Sequence, residues 1–273
     1  MGFNKNELFT LWLQNKPTNL NYQCWLSWIR YGYRPILYYD DLDNLNEMPS
    51  ILKSQFSLIS LDTLPSFYKI DTDNLLQKTD ILRFIILNTY GGTWIDSDMF
   101  LLKRLNDDNI IISSERTLQS GGRKSLETYR PNIGLLRFPP NNGFVAQVLL
   151  KLLPKTKGDI HDSSNNTSKM MKFIKLLKLK KWKFMNNYVA PPHHYCPIDY
   201  PFAKEIFTKD IDNPLIVKKY GLEYSTDLSD SYAVHLWENM VLNRHKIDVN
   251  GNGNGNGIHK NSLWINLINK NKN

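Results

Sequence analysis

Asp96 and Asp98 close a short apolar run, Thr93-Trp94-Ile95, with Ser97 between them. On a strand, side chains two apart share a side, so both carboxylates project together. Two carboxylates leaving a core strand repel each other, and a hard divalent cation relieves that repulsion. The chemistry this suits is holding a cation against a diphosphate, as in an activated sugar. The D-x-D spacing alone is weak evidence. It recurs at Asp41/Asp43, Asp71/Asp73 and Asp210/Asp212 in a chain with nineteen aspartates. Those three sit in polar stretches (DDLDN, KIDTDN, KDIDNP) that suit solvated loops and helix caps. Only Asp96/Asp98 follows a stretch that reads as a buried helix, Thr79 to Tyr90. That helix carries Asp80 and Arg83, three apart and so on one face. An ion pair there is costly to bury unless a partner or a ligand matches it; a purely structural pair is the alternative.

The elements that must position these residues follow from the hydrophobic pattern. Ile81, Leu82, Phe84, Ile85, Ile86 and Leu87 make the helix apolar almost all round, hence buried. Gly91 and Gly92 stop it, since glycine tolerates the left-handed cap. Ahead of it, Leu8–Leu13 predicts a strand. Asn19 is placed to cap a helix running to about Tyr31, Gly32 ends that helix, and Ile36–Tyr39 predicts a second strand. Residues 42–67 predict a helix and loops around a small strand, SLISL. Further strands are expected at Ile110–Ser113 and Asn132–Phe138, with SGGRKS (120–125) a flexible turn. Helices are expected at Phe144–Leu153, Met170–Leu179 and Ser262–Ile268. Val189–Pro201 reads as a proline-rich aromatic loop, and Ala233–Met240 as strand-like up to His235 and Trp237. Strands alternating with helices imply an α/β fold with a mixed, largely parallel sheet, in which ligands gather at the strands' carboxyl ends. Asn250–Gly257, NGNGNGNG, is low-complexity, a linker in preference to a lid.

The whole chain narrows the classes. It has 273 residues and is 41% apolar and 12% aromatic, enough for a sizeable core and unlike a disordered chain. Cys24 and Cys196 match no metal or redox spacing and read as reduced buried thiols. The amino-terminal stretch has no apolar signal core, and no apolar run approaches the ~20 residues of a membrane span. A soluble, cytoplasmic-type protein is therefore expected. The net charge of +8 suits an anionic ligand or surface. It is concentrated in Lys169–Lys183, seven lysines without an acid, interleaved with Met, Phe, Ile, Leu and Trp. Its readings are a surface helix packed on the core, or a basic helix at peripheral contact with a membrane. No nucleic-acid motif is visible, so nucleic acid is not an expected partner. No GxxxxGK[ST] or GxGxxG is present, which leaves kinase and dinucleotide-dehydrogenase readings without their fingerprint.

The stretch KTDILRFIILNTYGGTWIDSDMF resembles the sugar-binding D-x-D region of glycosyltransferase family 32, which has mannosyl-, capsular and α1,4-galactosyltransferase-like members. LWLQN with the Trp-bearing helix and YYDD, then NIGLLRFPPNNGFV, APPHHYCPI and AVHLW, resemble further family segments in the family's order, over roughly 8–243. The resemblance implies a single GT-A (Rossmann-like) nucleotide-sugar-binding domain over 1–249, the 250–257 loop, and a C-terminal helical addition over 258–273. It implies Mn²⁺ or Mg²⁺ bound by Asp98 and His235, with Asp96 reaching the cation through water or touching the nucleotide-sugar. It implies Asp80 and Arg83 on the donor sugar's hydroxyls, Trp12 stacked on the base, and Trp237 near the departing diphosphate. Core packing is the alternative for Trp12, Trp237 and His235. Many relatives carry a Gly-Pro element where this chain has GDIHDSSNNTSKMM, and His161 and Asp162 there read as loop residues.

The resulting expectation is a metal-dependent, retaining transferase that moves a hexose-type sugar from a UDP-sugar, ahead of GDP-mannose, to a glycan, lipid-linked or protein acceptor. Glu115, after strand Ile110–Ser113, is the carboxylate nominated for the acceptor side. One alternative is a catalytically silent relative that binds a glycan or membrane through its basic helix. Another is a phosphodiesterase, but no H-x-D or E-x-K cluster lies near Asp96.

Overall fold

In the computed structural model of the protein, residues 4–13, 15–64, 75–116, 129–152, 176–177, 179–211, 217–219, 222–224, 227–249 and 257–272 are described. A six-stranded sheet in the order β3-β2-β1-β4-β7-β6 forms the centre. Its strands are β1 (Glu7–Trp12), β2 (Arg34–Tyr39), β3 (Ser57–Ser60), β4 (Gly92–Ile95), β6 (Ile111–Arg116) and β7 (Tyr129–Phe138). β1 pairs in parallel with β2 and β4, and β2 with β3. β7 runs antiparallel between β4 and β6, so the sheet is mixed and mostly parallel, an α/β fold as expected. Alternation along each strand divides the core. Leu8, Ile95 and Leu135 face one layer, while Phe9, Trp94 and Leu136 face the other.

The first layer holds α1 (Asn19–Arg30), α2 (Ser50–Gln55) and the carboxyl-terminal helices. Trp25, Trp28 and Phe56 meet there with ring centroids 5.4–6.5 Å apart. Full burial of each such side chain contributes about 1.5–3 kcal/mol. The other layer holds α3 (Leu75–Tyr90) and α4 (Gly143–Leu152). α3 is buried as its sequence requires, from Ile81 through Leu87. Gly91 and Gly92, at φ 66° and 94°, turn the chain from α3 straight into β4. A Cβ on Gly92 would lie 2.6 Å from the Phe9 ring, and one on Gly91 2.4 Å from Pro140 N.

Several elements differ from expectation. The residue at the start of α1 is Thr18, not Asn19; the Asn21 side-chain oxygen accepts from the Thr18 N–H at 2.7 Å. β5 (Met99–Leu101) was not legible. It pairs antiparallel with β10 (Ala233–His235) in a separate two-stranded ribbon that sets His235 opposite Met99. The proline-rich loop contains two single turns, α5 (Pro192–Tyr195) and the 3-10 turn Tyr200–Phe202. α6 (Glu205–Thr208) and the hairpin β8 (Val217–Lys219) and β9 (Leu222–Tyr224) were also unforeseen. Of the basic stretch 169–183, the carboxyl part begins a 3-10 segment, Lys180–Tyr188, rather than an α-helix; residues 120–125, 161–162 and 169–175 lie outside the described residues. A final helix, α7 (Leu263–Lys272), buries Leu263, Trp264, Leu267 and Ile268 and reaches α1, Asn271 donating to Gln23 O at 2.9 Å. Among the described residues no helix is long and apolar enough to cross a membrane.

Candidate active site

The site is built where β4 ends. The chain turns through Asp96–Asp98 into β5, the Met99 N–H donating to Asp96 O at 3.1 Å. α1 fixes β5 from behind: the Trp28 indole N–H donates to Met99 O at 2.7 Å, and Leu101 N–H to Ser27 Oγ at 2.9 Å. β5 in turn positions β10, and with it His235. Ligating atoms of Asp96, Asp98 and His235 all come within 4.8 Å of one another, a group able to hold a metal ion. The D-x-D pair and a histidine far along the chain thus meet.

Each member is gripped separately. Asp96 Oδ1 accepts from Arg83 Nη2 at 2.9 Å and from the Trp94 indole at 2.8 Å, while its N–H donates to Gly134 O at 2.8 Å. Arg83 is almost fully buried, donates to Ile133 O at 2.8 Å, and lies over the Trp94 ring at 4.9 Å. Asp80 stands 3.8 Å from the same guanidinium. Asp98 Oδ1 faces His235 Nε2 at 3.2 Å, and its Oδ2 accepts the Glu238 N–H at 2.9 Å. His235 stacks on Trp237, centroids 3.9 Å apart. Trp237 itself has φ 56°, a strained conformation costing about 1–3 kcal/mol for a bulky residue. Its indole N–H donates to Ile198 O at 2.9 Å, which holds the ring beside the histidine.

The electrostatics describe a site short of positive charge. Burial pushes the Asp96 carboxyl above the usual carboxylate range; Arg83 opposes this and the Asp98 charge adds to it. Burial also works against charge on Asp98, but His235 and the Glu238 N–H outweigh it and hold the carboxyl low. For His235, burial disfavours the imidazolium and Asp98 overrides it, carrying the pKa well above the ordinary value. Burial and Asp98 together push Glu238 up to about 7. The donor set of two carboxylates and one imidazole fits a divalent cation such as Mn²⁺ or Mg²⁺.

Other expected residues fall outside this cluster. Trp12 ends β1, half-buried, with its ring edge-on to Trp25 at 5.9 Å. Glu115 is buried on β6, and both its oxygens are engaged, by Arg130 Nε at 2.6 Å and Asn132 Nδ2 at 2.7 Å. These two bonds tie β6 to β7 at Glu115, outside the Asp96, Asp98 and His235 cluster. The residues that sequence reasoning missed are Trp94, Gly134 and Glu238. A Cβ on Gly134 would meet Asn132 Oδ1 at 2.8 Å, Asp96 Oδ2 at 3.2 Å and His235 Cε1 at 3.6 Å, so a larger residue on β7 here would push on these side chains. Glu238 had one signal, an acid immediately after His-x-Trp.

Residues 17–117 match the family model of the glycosyltransferase sugar-binding region containing a DXD motif. The matched span runs from the start of α1 to the end of β6, so Asp80, Arg83, Asp96 and Asp98 all lie inside it. With the α/β sheet and the carboxylates at the end of β4, this match supports a glycosyltransferase, an enzyme that transfers sugar. Among solved structures, the chain is similar to the PaToxG glycosyltransferase at 15% identity and TM-score 0.46, covering 67% of this chain and 74% of that one. It is similar to the ligand-free glycosyltransferase domain from the YGT toxin at 14% identity and TM-score 0.41, covering 65% and 68%. It is also similar to the apo-form glycosyltransferase GlyE of Streptococcus pneumoniae TIGR4 at 12% identity and TM-score 0.41, covering 70% and 46%. No curated protein sequence matches the chain.

Proposed function

We propose that this chain is a metal-dependent, retaining hexosyltransferase of the family 32 kind, working on a nucleotide-sugar, UDP-sugar ahead of GDP-mannose. The acceptor class is a glycan, lipid-linked or protein group. The observation that carries this reading is that Asp96 and Asp98, inside a glycosyltransferase sugar-binding region, meet His235 from far along the chain within 4.8 Å. Asp98 and His235 would hold Mn²⁺ or Mg²⁺ directly, with Asp96 alongside. When bound, the cation neutralises the charge that develops on the departing diphosphate. Asp80 and Arg83 present a fixed carboxylate and guanidinium to the donor's hydroxyls, and Arg83 also orients Asp96. Trp237 walls the leaving-group side, and Trp12 offers a ring to the base. Residues 1–249 are read as the catalytic domain, with 258–273 as a helical addition.

A second partner is an anionic membrane surface for the basic stretch. Leu179, Phe184 and Tyr188 are 52%, 52% and 39% exposed. Lys180, Lys181 and Lys183 stand among them, with no acid nearby in the chain. The pattern favours shallow insertion with lipid headgroup pairing.

The test is a screen of UDP-glucose, UDP-galactose, UDP-GlcNAc and GDP-mannose with and without Mn²⁺, beside Asp98→Asn. Manganese-dependent release of UDP or GDP, lost in the variant, supports the reading and names the nucleotide. No nucleotide binding in the presence of metal would sink it and leave a silent glycan- or membrane-binding relative.

A further inference from the structure

Glu238 lies immediately beyond the strained Trp237 and makes three contacts to two distant parts of the chain. Its Oε1 accepts from Thr18 Oγ1 at 2.8 Å, and its Oε2 from Asn21 Nδ2 at 3.0 Å. Both donors belong to the amino end of α1, where a carboxylate is also favoured by the helix dipole. Its backbone N–H donates to Asp98 Oδ2, while the Leu236 N–H donates to Asp98 O at 3.0 Å. The segment His235–Glu238 therefore clasps Asp98 from two sides, and its conformation is anchored at Trp237 by Ile198 and at Glu238 by α1. The same helix holds β5 through Ser27 and Trp28. α1 is thus the common frame for both segments that carry Asp98 and His235, and the Glu238 side chain is the link on the His235 side.

We infer that Glu238 is a positioning residue for the cation site, fastening the His235–Glu238 turn to α1 so that its N–H keeps Asp98 in ligating orientation. This rests on reading Asp96, Asp98 and His235 as a cation site. A carboxylate suits the place because it meets two donors with two acceptors; a glutamine keeps one acceptor, and an alanine none.

The experiment measures Mn²⁺ affinity from the electron paramagnetic resonance of free Mn²⁺, which needs no turnover. Thermal melting is followed in parallel. Glu238→Ala is expected to weaken Mn²⁺ binding by at least about tenfold, and Glu238→Gln by no more than about threefold. The double variant Thr18→Ala/Asn21→Ala should reproduce the alanine effect from the other side, and adding Glu238→Ala to it should cost almost nothing more. Leu267→Ala, in the core under α7, should lower the melting temperature and leave Mn²⁺ affinity alone. If Glu238→Ala does not fold, the Thr18/Asn21 variant decides. Wild-type affinity in the folded Glu238 or Thr18/Asn21 variants overturns the positioning role. A wild-type protein that binds no Mn²⁺ overturns the cation site itself, and the role with it.

Discussion

At the scale of single residues, the site is set by what each side chain leaves room for. Gly134 shows this most clearly. Its carbonyl holds the Asp96 N–H, and its missing Cβ leaves room for the Asn132, Asp96 and His235 side chains. Gly134→Ala is expected to weaken Mn²⁺ binding about tenfold, as displaced supporting contacts commonly do, while the protein still melts cooperatively. Unchanged affinity would mean that β7 merely passes the site. No sequence pattern announces this glycine, because its constraint comes from side chains brought in from β4 and β10. Asp96 and Asp98 were legible for the opposite reason: their neighbours in sequence, the buried helix and the apolar strand, are also what exposes their cost. His235 was reachable only through resemblance, and the contacts of Glu238 were not legible, since its partners are 217 and 220 positions away.

At the scale of elements, α3, the Gly91-Gly92 turn and β4 could be read in advance. Local pattern decides them: an all-round apolar helix has to be buried, and two glycines at positive φ have to end it. β5 could not be, because a three-residue strand carries almost no periodicity; Ala233–His235 read as strand, but its pairing with β5 spans well over a hundred residues. The antiparallel entry of β7 is likewise set by tertiary pairing. The 3-10 segment Lys180–Tyr188 carries its own expectation. The protein should co-sediment with vesicles containing phosphatidylserine and not with purely zwitterionic ones, and the binding should fade with salt, since each lysine near such a surface contributes about 1 kcal/mol. Replacing Lys180, Lys181 and Lys183 by Glu should abolish it, and Phe184→Ser should weaken it. Equal binding to both vesicle types would remove the lipid partner.

For the whole molecule, the two-layered core fixes how stability responds to alkali. Burial raises the pKa of Cys24, and the Asp98 and Glu238 charges add to it; burial likewise raises Tyr33, Tyr38 and Tyr195. The folded chain therefore keeps these protons more tightly than the unfolded one. Stability is full below the unfolded values, about 8.5 for a thiol and about 10 for a phenol, and is lost as pH climbs past them. The urea midpoint should fall steadily between pH 8 and 10.5 by circular dichroism. A flat profile would show that these groups are not sequestered together.

The ribbon of β5 and β10 also has a consequence in time. A chain emerging from the ribosome presents the Asp96–Asp98 turn long before its clasp, since Asp98 and Glu238 are 140 positions apart. At translation speeds of ~5–20 residues per second, that interval lasts roughly 7–28 s. Throughout it, the two carboxylates have neither the imidazole nor the clasping N–H groups. On the proposed reading, the full donor set for a cation exists only once the chain has been made through β10.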